Sequence, residues 1–262
     1  MVKINYLSDL HLEFYDTFDF HKIFNFDNNG EILCLCGDIG YPENKIYGDF
    51  LDYCSKKFKY VFLISGNHEY YSNNNLKTIK TTNIMLEDLC NKFNNVYFLN
   101  NKVKYLEEYK LYFIGSTLWT ELPEDIHKNK AKDYYNDFKK IYYEWDNLKF
   151  SLNEDYLNFL NAESVEFITN SLNIYKDQKK IVLTHHLPTY KIITEKYKNS
   201  GYNFFFANNL DDLIKNNNIT AWLCGHSHTP NKINIDKTII SLNPIGYPDE
   251  NKNINLNEFL IL

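Results

Sequence analysis

Arginine is absent from this sequence of 262 residues: all 28 basic side chains are lysine. No guanidinium fork is available to grip a phosphate in bidentate fashion. Any phosphate site must therefore use metal ions, lysine, histidine, asparagine or backbone amides. Also missing is any apolar run near the roughly 20 residues that a bilayer-spanning helix needs, so no membrane span is expected. The N-terminus lacks a basic start, a long apolar stretch and a small-residue cleavage site, so no signal peptide is expected either. The five cysteines form an odd set without a CxxC pair, and Cys34, Cys36 and Cys224 sit in strand-like runs. That pattern predicts buried reduced thiols in a reducing cytoplasm, not disulfides or zinc ligands. With a net charge of −6 and lysines spread along the chain without a long basic run, no dedicated nucleic-acid surface is expected, although a nucleotide-sized substrate stays open.

Rings, in contrast, are abundant. Twenty-two Tyr, 19 Phe and 3 Trp are too much apolar surface to leave in water, which excludes a disordered chain. Short apolar runs at Val2–Leu7, Glu31–Cys36, Tyr60–Ile64, Leu111–Gly115, Lys180–Thr184, Thr220–Cys224, Thr238–Leu242 and Glu258–Leu262 predict buried strands. Helical periodicity fills Pro42–Phe58, Asn75–Phe93, Leu152–Tyr175 and Leu210–Asn216, so the chain is expected to be an α/β layered protein. With no repeat and no composition break, residues 1–262 read as a single domain. The Tyr-rich stretch of about 117–150 reads as an insertion over one edge.

The polar signals fall where these strands end. They are Ser8-Asp9-Leu10-His11, Gly37-Asp38, Gly66-Asn67-His68-Glu69, His185-His186 and Gly225-His226-Ser227-His228. The carboxyl ends of parallel strands meet at one sheet edge, where ligands of open α/β sheets collect. Residues i and i+2 of an extended segment share a side, so Asp9 with His11, and His226 with His228, can each address one point. Gly37, Gly66 and Gly225 allow sharp turns or close approach. Six of the eight histidines lie in these clusters and no thiolate does. Nitrogen and oxygen donors without sulfur suit catalytic manganese, iron or zinc. Seven such ligands are too many for one ion and suit two ions sharing a carboxylate.

In this order the blocks resemble the signature of the calcineurin-like metallophosphoesterase superfamily: DxH, GD, GNH[DE], H and GHxH. A small bacterial-type branch is the nearest likeness, through Ser8–Phe14, Asn67–Tyr71, Phe113–Trp119 and Asn243–Tyr247; that branch typically has Arg where this chain has Ile245. The resemblance implies a four-layer α/β/β/α sandwich of two mixed sheets flanked by helices. It also implies two divalent metal ions, with manganese first and iron or zinc as alternatives. Asp9, His11 and His228 would hold the first and Asn67, His185 and His226 the second, with Asp38 bridging. His185 is taken over His186 because it directly follows its strand. A metal-bound hydroxide would attack phosphorus, and Asn67 and His68 would meet the substrate, with His68 stabilising charge or protonating the leaving oxygen. The expected activity is hydrolysis of a phosphate ester, in a small molecule or nucleotide. A diester is slightly preferred, since it carries one charge fewer than a monoester dianion. A phosphomonoesterase or protein phosphatase, a repair-type nuclease and a non-catalytic scaffold of the same fold are the alternatives. Glu69 would either orient a histidine or lie solvated. Among Tyr70, Tyr71, Trp119, Tyr134, Tyr135, Tyr142, Tyr143 and Trp145, most are expected to pin the insertion to the body rather than wall a pocket. Phe204–Phe206 is expected to be a core run.

Overall fold

The computed structural model describes residues 2–15, 19–20, 24, 30–72, 77–124, 135–251 and 258–262. Tyr134 lies outside them, as does the start of the helix expected from Asn75. All eight expected strands are present: β1 (Lys3–Leu7), β2 (Ile32–Cys36), β3 (Tyr60–Ile64), β6 (Leu111–Ser116), β9 (Lys179–Thr184), β10 (Ala221–Cys224), β12 (Thr238–Leu242) and β13 (Phe259–Ile261). To these the structure adds β4 (Val96–Phe98), β5 (Lys102–Leu106), a hairpin of β7 (Tyr142–Trp145) and β8 (Leu148–Ser151), and β11 (Asn231–Ile235). The helices are α1 (Lys45–Lys57), α2 (Ile79–Cys90), α3 (Asp137–Lys140), α4 (Glu154–Ile174) and α5 (Asp211–Lys215).

Two mixed sheets result. One has the order β13-β1-β2-β3-β4, with β1 to β4 parallel and β13 antiparallel at the edge. The other has the order β11-β12-β10-β9-β6-β5, with a parallel centre and antiparallel β11 and β5 at its edges. Alternation along the strands sorts the side chains into layers, because successive residues point to opposite faces. Cys34, Phe62 and Ile64 share an apolar cluster with Phe113, Ile181 and Leu223 of the second sheet, and the Phe62 and Phe113 rings stack at 4.2 Å. Leu33, Leu35, Val61 and Leu63 turn the other way, onto Phe50, Leu51 and Leu86 of α1 and α2. Val182, Trp222 and Ile240 pack outward onto Ile168 and Leu172 of α4 and Ile214 of α5. The four layers expected are the four layers found. All five cysteines are buried and free. No helix among the described residues is long and apolar enough to cross a membrane.

This topology brings six carboxyl ends together: β1, β2 and β3 of one sheet, and β9, β10 and β12 of the other. A parallel bridge between Ser8 and Pro244 ties the ends of β1 and β12 across the gap between the sheets.

Candidate metal centre

Each predicted ligand sits on the turn that leaves a strand, and four of them hold a left-handed backbone: Asp9 (φ 54°), His11 (φ 51°), Asp38 (φ 53°) and His226 (φ 66°). That conformation costs a residue with a Cβ roughly 1–2 kcal/mol, so surrounding bonds must hold it. Asp9 N–H donates to the Gly37 carbonyl and His11 N–H to the Asp38 carbonyl, both at 3.0 Å, which splices the first two turns. Asp9 in turn accepts the His226 N–H through Oδ1 (3.0 Å) and Oδ2 (3.1 Å). Two glycines let the turns close up. A Cβ on Gly37 (φ 83°) would stand 2.6 Å from His185 Nδ1, and one on Gly66 would stand 2.7 Å from both Asp38 N and His185 Cε1.

The imidazoles are oriented from behind. His185 Nδ1 donates to the Cys36 carbonyl at 2.9 Å. His11 Nδ1 meets Glu13 Oε1 at 3.0 Å, and His228 Nδ1 meets Glu250 Oε2 at 2.7 Å. Since each of these partners can only accept, each Nδ1 carries the proton and each Nε2 presents a lone pair. Those lone pairs converge. His11 Nε2 and His228 Nε2 are 3.1 Å apart, with Asp9 Oδ1 3.6 Å from the latter and Asp38 Oδ2 3.9 Å from the former. His185 Nε2 lies 3.1 Å from Asn67 Oδ1, 3.2 Å from His226 Nδ1 and 3.4 Å from Asp38 Oδ2. Two groups of ligand atoms therefore face inward, each able to offer lone pairs to a cation once any proton on His185 leaves, and Asp38 belongs to both. Ligand atoms of Asp9, His11 and His228 lie within 4.8 Å of one another, as do those of Asp38, His185 and His226, and those of His11, Asp38 and His68. Clustered lone pairs of this kind are satisfied by cations, so the donor set fits divalent metals.

The electrostatics agree. Burial opposes a charge on His185, but the Asp38 and Asp9 carboxylates outweigh it and push the imidazole up to about 10. The field that would hold a proton there is the field that would hold a metal. Burial acts oppositely on Asp38, where the surrounding histidines, His185 foremost, overcome it and hold the carboxyl well below its usual range.

The match to the calcineurin-like phosphoesterase family model spans residues 2–230, and every one of these clusters falls inside it. This chain belongs to the calcineurin-like phosphoesterase family. The family consists of metal-dependent phosphoester hydrolases. Uncharacterized protein L509 of Acanthamoeba polyphaga mimivirus is 35% identical over 272 residues, covering 96% of this chain and 94% of that protein. The phosphopantetheinyl hydrolase PptH of Mycobacterium tuberculosis shares the fold, with a TM-score of 0.70 at 15% identity over 99% of this chain and 95% of that one.

Within this family member, His68 lies beside the cluster. Its N–H donates to Asp38 Oδ1 at 2.8 Å, its Nδ1 meets Glu13 Oε1 at 2.8 Å, and its Nε2 is 3.4 Å from the Tyr247 hydroxyl. Burial opposes its charge, yet Asp38 and Glu13 raise its pKa above the usual value. His186 points elsewhere: its ring lies against His226 and Trp119, with Nδ1 toward the Thr117 carbonyl. Ile245, where an arginine was expected in this branch, packs half-buried against the apolar cluster beneath the first sheet.

Several expectations are corrected. Glu69 neither orients a histidine nor faces solvent. It is fully buried, and its carboxylate takes the N–H groups of Asp38 (3.0 Å), Ile39 (2.8 Å) and Gly66 (2.7 Å). Glu13 and Glu250 do the histidine work instead. Phe204–Phe206 is a core run only in part, since Phe205 is buried while Phe206 is 37% exposed and lines a cavity. Tyr143 pins the insertion by stacking on Tyr156 of α4 at 3.7 Å, but Trp145 is 64% exposed and pins nothing. Sequence reasoning missed Asp137 of α3 altogether. This buried carboxylate accepts from Asn67 Nδ2 at 2.9 Å and from the Tyr71 hydroxyl at 2.7 Å, which turns Asn67 Oδ1 toward His185.

Proposed function

We propose that the chain hydrolyses a phosphate ester, preferring a diester to a monoester, at a centre of two divalent cations. Asp9, His11 and His228 would hold one cation and Asn67, His185 and His226 the other, with Asp38 shared between the two groups. Bound there, the cations supply an activated water and neutralise charge on the phosphoryl oxygens. The observation that carries this reading is the pair of converging ligand groups that share Asp38. His68, whose pKa Asp38 and Glu13 raise, gives its Nε2 proton to the departing oxygen. Asn67, on its Asp137 anchor, positions the phosphate beside His68.

The diester preference follows from the lining of the adjacent cavity. Among the described residues no lysine lines it, and the chain has no arginine, so beyond the metal centre and His68 no cationic side chain of the lining is left to meet the second charge of a monoester. Manganese is taken first, with iron or zinc as alternatives, since nitrogen and oxygen donors without sulfur suit all three. Five buried free thiols suit a reducing compartment such as the cytoplasm. The chain acts as one domain, and the insertion contributes Asp137 to the centre.

The test pairs bis-p-nitrophenyl phosphate with p-nitrophenyl phosphate on manganese-loaded protein, with Asp38→Asn as control. Diester turnover that disappears in the variant is the expected result. Faster monoester turnover overturns the diester preference, and turnover that survives in Asp38→Asn overturns the bridging role.

A further inference from the structure

The cavity beside the candidate centre has a volume of about 480 Å³, within the range of small-molecule sites. Part of its lining is the polar set just described, including Asn67, His68 and His226. Much of the rest is rings the hydrolytic step does not use, among them Tyr197, Tyr202 and Phe206. These are 42%, 51% and 37% exposed, and Tyr202 has no ring partner among the described residues.

All three rings belong to the segment 187–207, which leaves the site directly after His185-His186. Its two ends are tied by a parallel bridge between Leu187 and Ala207, with Leu187 N–H donating to the Phe206 carbonyl (3.0 Å) and Asn208 N–H to the Leu187 carbonyl (2.9 Å). Inside the loop, Asn203 Nδ2 donates to the Tyr197 (2.9 Å) and Lys198 (3.1 Å) carbonyls. The rings are thus carried on a closed, internally bonded loop. Phe206 also lies 4.9 Å from the His226 ring, which sets the aromatic surface next to the candidate metal centre. Exposed rings on a braced loop beside a phosphate site, in a lining without described lysine, suit a substrate with one negative charge and a flat neutral group.

We propose that this loop selects a nucleoside phosphodiester, its base stacking on Tyr202 and Phe206 while the phosphate meets the metal centre. The proposal rests on the hydrolytic reading above and adds the identity of the esterified group. Hydrolysis then replaces one P–O ester bond by a P–OH from water, and the leaving oxygen takes up a proton.

The test compares p-nitrophenyl thymidine 5′-phosphate with methyl p-nitrophenyl phosphate on manganese-loaded protein, so that both release the same phenolate. Stacking of one base is worth a factor of roughly ten or more. The expected kcat/KM ratio therefore favours the thymidine ester about tenfold and falls below about threefold in Tyr202→Ala. Trp145→Ala, an exposed ring on the β7–β8 hairpin, keeps the ratio. A wild-type ratio near one, or one that survives Tyr202→Ala, overturns the proposal. Titration calorimetry of adenosine monophosphate against methyl phosphate gives a readout that needs no turnover. Tighter binding of the nucleotide, lost in Tyr202→Ala, supports ring recognition even if neither diester is cleaved, an outcome that would sink the hydrolytic reading alone. Equal binding of the two phosphates, or none, overturns ring recognition.

Discussion

Glu69 is the residue whose replacement should be most informative, because it touches no predicted ligand side chain and yet braces the turns that carry Asp38 and Asn67. In Glu69→Gln the side chain keeps its shape but exchanges one acceptor oxygen for an NH₂ group. The amide fits best with its remaining oxygen at the Oε2 position, which serves Asp38 and Gly66, and its nitrogen at the Oε1 position. There it faces the Ile39 N–H, while the Tyr47 hydroxyl, 3.4 Å away, can rotate to accept. One buried N–H is left without a partner, at a cost of about 1–3 kcal/mol, and the two surviving bonds lose their charge assistance. A total near 2–4 kcal/mol follows. For a protein of this size that corresponds to a Tm lower by about 4–8 °C. Metal affinity should weaken by about 10–100-fold, as when other residues supporting a ligand set are removed. Differential scanning calorimetry of the metal-free protein and a manganese titration measure both. A Tm within 2 °C of wild type together with unchanged affinity would refute the bracing role.

Two further outcomes follow from buried groups. Asp137→Ala should leave Asn67 Nδ2 and the Tyr71 hydroxyl without their buried acceptor and should reduce bound metal toward one equivalent by elemental analysis; full occupancy at unchanged affinity would show that Asn67 needs no anchor. His186 is held down to about 3 by burial and by neighbouring His185. Between that value and the ordinary 6.5, the folded chain binds fewer protons at this residue than the unfolded chain does. Stability is therefore fully present above about pH 6.5 and is lost as pH falls through the window, by about 2 kcal/mol between pH 7 and pH 5. The metal-free His186→Asn protein should lose correspondingly less over that interval, and equal losses would place the acid sensitivity elsewhere.

The legible parts of the structure are those encoded by local pattern. Central strands such as Tyr60–Ile64 are continuous apolar runs because both faces are covered, and their bounds were readable to within a residue or so. Two edge strands have no such signature, for the complementary reason. Lys102–Leu106 and Asn231–Ile235 are half exposed and interleave lysine and asparagine with apolar residues, so no run marks them. The centre divides in the same way. Asp9, His11, Asp38, Asn67, His68, His185, His226 and His228 were all placed together because each follows a strand at short spacing. Asp137 reaches Asn67 across 70 positions and Glu250 reaches His228 across 22, and no local pattern records such pairings. Glu69, expected to orient a histidine or lie solvated, has backbone amides as its partners, and only the folded turns define their positions.

The left-handed turns at Asp9, His11, Asp38 and His226 have a consequence for the evolution of this chain. Each would be relaxed by glycine, and the aspartates by asparagine, residues that enter this region of backbone space more readily. Either change would also thin out a crowd of mutually repelling lone pairs. Selection for heat resistance alone would therefore dismantle the centre first, through changes that leave a sturdier and inert protein.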